Sequence, residues 1–374
     1  MPFNDKQEEI IEKAQNIIKK NENIIIGEFN RFNTIDIGNI KKDRVNCEIQ
    51  LMYPEIARVM NFDLDRYFKD RYYNFEKTFE YRIWHHENIP DNSAFSGLYE
   101  MDYGVYTMEY SLLGMETKWP ANQYPVLGEP IIKNKKDLKN LNVPDFFTSG
   151  YMPMVIDDYK QLKEELKGRL NIGIRKFVHG PFQVAKDIRG LSNLYMDVFT
   201  DPEFVKDLLD FGVRFHEEWI RGWEQLHGIP YGRVDMAEDE IDTKKAIPPK
   251  IYRDLIFPFH VRLGNKYKNI HFHSCGDINA IAEDIKRIPY VTLIEIGPDT
   301  DAFEYSKVFK GTNVKFYKCP DPVSELLSEN IKQREKMIEN VIKASELVPI
   351  KILVETPSLE KGLDFLKTFR KLYK

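Results

Sequence analysis

Strand and helix candidates alternate regularly from about residue 150 to the C-terminus, and eight strand candidates can be counted along the 374 residues. Several histidines, cysteines and carboxylates fall where those strands end. Together these observations predict a TIM (β/α)8 barrel, whose catalytic groups belong at the carboxyl ends of the strands. Composition agrees: 54 Lys+Arg face 59 Asp+Glu, with 42% hydrophobic residues, the balance of a globular chain. The near-neutral charge gives no electrostatic reason for a nucleic-acid partner. No run of about 18 apolar residues exists to span a membrane, and the polar start of the chain does not match a secretory signal. Three cysteines make no disulfide scaffold and suit a reducing cytoplasm.

The chain opens with an amphipathic helix over residues 4–20, because Ile10, Ile11, Ala14, Ile17 and Ile18 recur at helical spacing. Residues 1–40 are read as an N-terminal helical extension and 41–374 as the barrel. Arg44 to Met52 reads as the first strand. Tyr53 to Ile89 reads as short helices followed by a strand that stands outside the eight counted. Asn92 to Pro130, punctuated by Gly and Pro, reads as a strand near Leu98 to Thr107 plus irregular loops. Then follow a helix over Asp157 to Lys167, a strand over Leu170 to Val178, and a long helix over Pro202 to Leu226. Arg233 to Ala237 is the next strand, and prolines open a helix over Pro249 to Asn265. The last four strands are Asn269–His273, Val291–Ile296, Val314–Tyr317 and Ile350–Glu355. Helices over Ile278–Lys286, Val323–Ser345 and Lys361–Tyr373 complete the pattern.

The run His271-Phe272-His273-Ser274-Cys275-Gly276-Asp277 ends one of these strands. Residues i and i+2 of a strand point the same way, so His273 and Cys275 converge, and a nitrogen with a thiolate suits zinc. Cys319 follows the next strand but one, in Lys318-Cys319-Pro320-Asp321-Pro322. Glu295 closes the apolar strand VTLIEI, where a carboxylate is costly unless paired or metal-bound. Glu355 ends the last strand in the same way. Cys47, inside the first strand, reads as core. Asp235 and Glu238 lie at the end of RVDMA, within a group that includes Asp239 and Glu240. Their position makes Asp235 and Glu238 candidates for acid/base or substrate-binding work. His179 follows another strand and is read as orienting a substrate. Tyrosines at 99, 103, 106 and 110 recur at a spacing that suits core or pocket wall, with Tyr103 and Tyr106 the candidates for contacting substrate. There is no P-loop and no GxSxG elbow.

The run His179-Gly180-Pro181-Phe182-Gln183-Val184-Ala185, followed by Asp201-Pro202-Glu203, resembles the uroporphyrinogen decarboxylase superfamily. Pro249 to Pro258, His273-Ser274-Cys275-Gly276 and Cys319-Pro320-Asp321-Pro322 continue the resemblance in the same order. It spans about residues 40–372. The upstream segment Gly128 to Asp145 is similar to that of the methyltransferase branch. Decarboxylases of the superfamily carry an arginine-containing segment after the first strand to grip the porphyrinogen carboxylates. Here Ile49 to Glu55 carries none, and the first arginine beyond it is Arg58. His273-Ser274-Cys275 resembles instead the His-x-Cys of corrinoid-linked methyltransferases, whose zinc is completed by a cysteine after the last strand. This chain has Glu355 in that region, so the fourth ligand would be Cys319 or Glu355. Glu295, twenty residues after Cys275, resembles the glutamate ligand of cobalamin-independent methionine synthases.

The resemblance implies a zinc-dependent methyltransferase that moves a methyl group between a corrinoid, carried by a partner protein, and a thiol or methylated small molecule. His273, Cys275, Glu295 and Cys319 would hold zinc, while Asp235, Glu238 and His179 would shape the substrate pocket. The superfamily also suggests a homodimer. Two other readings stay open: a metal-free decarboxylase or lyase of the same superfamily, and a non-enzymatic corrinoid or small-molecule binder on the same barrel.

Overall fold

A computed structural model describes residues 3–20, 45–175 and 178–373. Its frame is a TIM barrel of eight strands: β1 (Asn46–Leu51), β2 (Leu98–Met101), β3 (Asn171–Ile174), β4 (Val234–Ala237), β5 (Ile270–Ser274), β6 (Val291–Ile296), β7 (Lys315–Lys318) and β8 (Ile350–Thr356). Six of them form one parallel sheet in the order β1-β8-β7-β6-β5-β4, and β2 pairs with β3 in a second. A parallel bridge between His179 and Ala237 ties the segment after β3 to β4. A short antiparallel ladder, Thr117–Lys118 with Val126–Leu127, overlies this frame.

Alternation along the strands divides the two faces. In β5, Ile270 and Phe272 join the main hydrophobic core, while His271 and His273 meet polar groups of β4 and β6. Register makes those meetings possible: Asp235 pairs with His271, and His273 pairs with Glu295, which pairs in turn with Tyr317. Each fully buried Ile or Phe on the outward face contributes about 2 kcal/mol by leaving water. The helix Asp5–Lys20 buries Ile10, Ile11 and Ala14 against the body, as its periodicity predicts. Lys6 reaches Glu76 at 2.6 Å and Gln15 reaches the Arg169 carbonyl at 3.1 Å. The end of the expected extension, and its boundary at residue 40, lie outside the described residues. No helix among the described residues is long and apolar enough to cross a membrane.

Four element readings change. The strand expected after the short helices of residues 53–89 is one helix, Arg71–Asn88, capped by Asp70 on Tyr72 and Tyr73. Its aromatic residues mimic strand composition, but Phe75, Phe79 and Ile83 recur every four residues and are buried. The strand expected over 98–107 stops at Met101, because Gly104 turns at φ +92° and the helix Val105–Ser111 follows. Pro249–Lys266 is continuous but carries a π-helical stretch over Tyr252–Ile256. Pro258 has no N–H for the helical ladder, which accounts for the local slip. The single helix expected over 323–345 is broken before Ile331, where Asn330 caps the N–H of Lys332.

Candidate metal centre and cavity

His273 stands at the upper end of β5 with both ring nitrogens engaged. Its Nδ1 lies 2.5 Å from Glu295 Oε2. Its Nε2 lies 2.7 Å from Asp239 Oδ1 and 3.3 Å from Cys275 Sγ. Asp239, His273 and Cys275 each offer a donor atom, and those atoms lie within 4.8 Å of one another. Glu295 stands on the Nδ1 side of the ring, while Nε2 faces a sulfur and a carboxylate. Three electron-rich atoms facing one point are suited to a cation, and a nitrogen, a sulfur and an oxygen are donors that zinc accepts. Backbone packing fixes Cys275: a Cβ on Gly297 would lie 2.3 Å from the Cys275 carbonyl oxygen, so only glycine lets the β6 end approach this closely.

Of the four expected zinc ligands, His273 and Cys275 belong to this group of converging donor atoms, and Glu295 and Cys319 lie outside it. Glu295 holds the far side of the His273 ring, accepts from Tyr317 Oη at 2.5 Å and from Cys319 Sγ at 3.4 Å. Burial, then the Glu295 and Glu355 carboxylates, push the Cys319 thiol well above its ordinary pKa, so it becomes a thiolate only beside a cation. Asp239, which the sequence offered only as one of four neighbouring acids, shares the Nε2 side of His273 with Cys275. Cys47 is fully buried in β1, as expected.

Below the rim runs a buried chain of contacts. Tyr317 Oη lies 3.0 Å from His271 Nε2, and His271 Nδ1 lies 2.5 Å from Asp235 Oδ1. Burial lowers the His271 pKa although Asp235 works against it. Asp235 is therefore tied into the barrel interior and does not line the cavity described below. Glu238 is committed too. Its oxygens accept from the N–H groups of Phe182 (3.1 Å) and Gln183 (2.7 Å) at the start of the helix Pro181–Arg189, and His260 Nε2 lies 2.8 Å away. A Cβ at Gly180 would lie 2.2 Å from that carboxylate, which is why the turn carries glycine. A carboxylate at a helix N-terminus with every face occupied holds structure rather than a substrate.

His179 is fully buried, with Nδ1 2.7 Å from Glu109 Oε2 and its ring stacked on Tyr106 at 4.7 Å. Burial opposes its charge, but Glu109 outweighs it and raises the pKa above the usual histidine value. His179 thus backs the cavity wall through Tyr106 instead of touching a substrate itself. Tyr103, the other expected contact, donates to Asp158 on the outer helix Met152–Leu166 and does not line the cavity.

The cavity, of about 580 Å³, opens at the carboxyl ends of β1–β3 and reaches Asp239 and Glu355. Tyr106 lines it, as expected, together with Tyr53, Tyr124, Asp102 and Arg175. Tyr53 Oη donates to Asp102 at 2.9 Å, and Arg175 is paired with the same carboxylate. Sequence reasoning missed this pair. Asp102 and Arg175 come from different strands with no shared motif, and only the β2–β3 ladder brings them together.

Residues 103–316, over half the chain, match the model of the family described as uroporphyrinogen decarboxylase (URO-D). No curated relative matches the sequence. Among solved structures, the chain is similar to a methyltransferase from Methanosarcina mazei, with a TM-score of 0.63 at 14% identity over 98% of this chain and 99% of that one. A likeness at that identity speaks for the barrel.

Proposed function

The chain belongs to the uroporphyrinogen decarboxylase family, and from that premise we propose that it is a methyltransferase, built on a zinc centre, that exchanges a methyl group with a corrinoid carried by a partner protein. The observation that carries this reading is the meeting of His273 Nε2, Cys275 Sγ and Asp239 Oδ1 at the mouth of the barrel. His273 and Cys275 would hold the zinc with Asp239, and Glu295 would stand behind the His273 ring with Cys319 beside it. When bound, zinc would supply Lewis-acid chemistry: it lowers the pKa of a thiol substrate or polarises the heteroatom of a methylated one. Glu295 lies 2.5 Å from Nδ1 on one side of the His273 ring, which leaves Nε2 on the side of Cys275 and Asp239. Tyr317 fixes Glu295 in turn. Tyr53, Tyr106 and Tyr124 give the substrate an aromatic wall, and the Asp102–Arg175 pair offers directed polar contacts. The similar structure from Methanosarcina mazei is a methyltransferase, which supports this reading, and the shared fold alone does not carry it.

Decarboxylation of a polycarboxylate fits the cavity less well. Glu100, Asp102, Asp187, Asp239 and Glu355 line it against Lys77, Arg82, Arg175 and Lys186. Asp102 already pairs with Arg175, and Lys186 Nζ lies 2.7 Å from Asp187, so little positive charge is left for a ring of carboxylates. The test is transfer of a methyl group from a panel of methylated amines, ethers and thioethers to free cob(I)alamin, followed by absorbance. Zinc-dependent transfer from at least one donor class, lost in Cys275→Ala, is the expected result. Full activity of a metal-free enzyme on a carboxylated substrate would contradict the proposal.

A further inference from the structure

Cys275 is the exposed member of the trio at the barrel mouth, so packing around its side chain does not aim the thiol. The backbone does. Residues 274–278 run between two turns that hold them from opposite sides. Residues 241–243, after β4, form one side. Ser274 Oγ donates to the Ile241 carbonyl at 2.8 Å, and Thr243 N–H donates to the Asp277 carbonyl at 2.8 Å. The turn 297–300, after β6, forms the other. Gly297 N–H donates to the Ser274 carbonyl at 3.0 Å. Thr300 Oγ1 donates to the Gly276 carbonyl at 3.0 Å and accepts from the Ile278 N–H at 3.2 Å. The turn thus grips the chain immediately before and immediately after Cys275.

That turn is built around an ammonium. The carbonyls of Gly297, Pro298 and Thr300 converge on Lys318 Nζ, which donates to them at 2.5, 2.8 and 2.8 Å. All three N–H donors of the lysine are used. Lys318 ends β7 and is 3% exposed, and among the described residues no carboxylate forms an ion pair with it. Burying an ammonium against neutral groups is costly, and a strand end does not require one. What it supplies is direction. Three carbonyl dipoles that would repel one another are held facing inward, which leaves the Gly297 N–H and the Thr300 hydroxyl for the segment that carries Cys275.

We infer that Lys318 is a positioning residue for the metal centre: through the turn 297–300 it fixes the backbone of Cys275, so that the thiol meets His273 Nε2 and Asp239. Lys318 lines no part of the cavity and is not among the converging donors. Its effect on metal binding rests on the zinc reading above, whereas its hold on residues 274–278 needs no metal.

The experiment compares full-length wild type with Lys318→Met, Thr300→Val and Arg334→Met. Lys318→Met keeps the chain length and removes the charge. Thr300→Val removes only the hydroxyl that joins the turn to residues 276 and 278, and keeps the test open should Lys318→Met not fold. Arg334 is also 3% exposed and donates to the Glu325 and Leu326 carbonyls, so its variant controls for the loss of a buried cation elsewhere. Hydrogen exchange over residues 274–278 is followed in the metal-free proteins, and zinc affinity is measured by chelator competition. Lys318→Met and Thr300→Val should each speed exchange about tenfold and weaken zinc about tenfold, while Arg334→Met stays within about twofold of wild type on both. Unchanged exchange in a folded Lys318→Met protein, faster exchange with wild-type zinc affinity, or equal losses in Arg334→Met would overturn the inference. Faster exchange beside a wild type that binds no zinc would support the hold on Cys275 and overturn the metal centre.

Discussion

The two arcs of this barrel use their interiors in opposite ways. From β4 through β8 to β1, six strands are laddered, and their interior is filled by titratable side chains bonded to one another. The β2–β3 arc meets β1 across a seam, and its side of the barrel holds a cavity. Rigid ligands need the first arrangement, because each donor's direction is set by the next side chain behind it. A substrate needs the second, because it must enter and leave. The candidate metal centre lies where the two meet, with Asp239 belonging to both.

Mutations should separate the arcs by what they change. The largest stability effect is expected at Lys351, whose ammonium lies 2.8 Å from Glu48 with both side chains buried. Lys351→Met removes the ammonium from beside that buried carboxylate, and should cost about 3–5 kcal/mol in denaturant unfolding. Pairing it with Glu48→Leu should recover most of the loss, and zinc content should stay unchanged in the double variant. A single variant as stable as the wild type would show that the closed arc does not depend on its internal pairing.

Acid should act next, through His216 on the long helix Pro202–His227. Burial pushes this imidazole down to about 4, against the opposing pull of Asp235, whose carbonyl its Nε2 contacts at 2.9 Å. The unfolded chain takes up a proton near the ordinary value of about 6.5, while the folded chain resists until about 4. Stability from this group is thus complete above about 6.5 and is lost as pH falls toward 4, by up to about 3 kcal/mol. His216→Gln should flatten that window in unfolding curves measured between these pH values. An identical acid slope in the variant would place the sensitivity elsewhere.

A smaller change is expected at Tyr317, which stands between His271 and Glu295. Tyr317→Phe removes one hydroxyl from a buried chain and should cost about 1–3 kcal/mol. It should also weaken zinc binding about tenfold, measured by chelator competition, because Glu295 loses the partner that holds it against His273. Equal zinc affinity in the two proteins would mean that the chain below the rim does not steer the centre.

The same contrast explains what could be read from the sequence. The β4–β8 arc was legible because its units follow one another with short connections and alternating strands. His273 and Cys275 announce themselves by spacing alone. The other half was less legible, since its seam is sealed by Asp91 and Asn92, side chains that obey no period. Tyr317 looked like an ordinary core aromatic in VKFY, and only the pairing of β6 with β7 sets its hydroxyl on Glu295. Asp239 was hidden among neighbouring acids for a similar reason. Glu238 and Asp239 are adjacent in sequence, yet one caps a helix and the other faces His273. Rim position singled out a region, and within it Asp235, Glu238 and Tyr103 are bonded to protein partners and do not line the cavity.

The most direct test of the account is elemental analysis of the full-length protein, purified without a histidine tag, beside a His273→Ala/Cys275→Ala double variant. The account predicts about one zinc per chain in the wild type and almost none in the double variant, with the melting behaviour of the closed arc otherwise preserved. Absence of stoichiometric metal after zinc is supplied and the excess removed, or full zinc retention by the double variant, would contradict it.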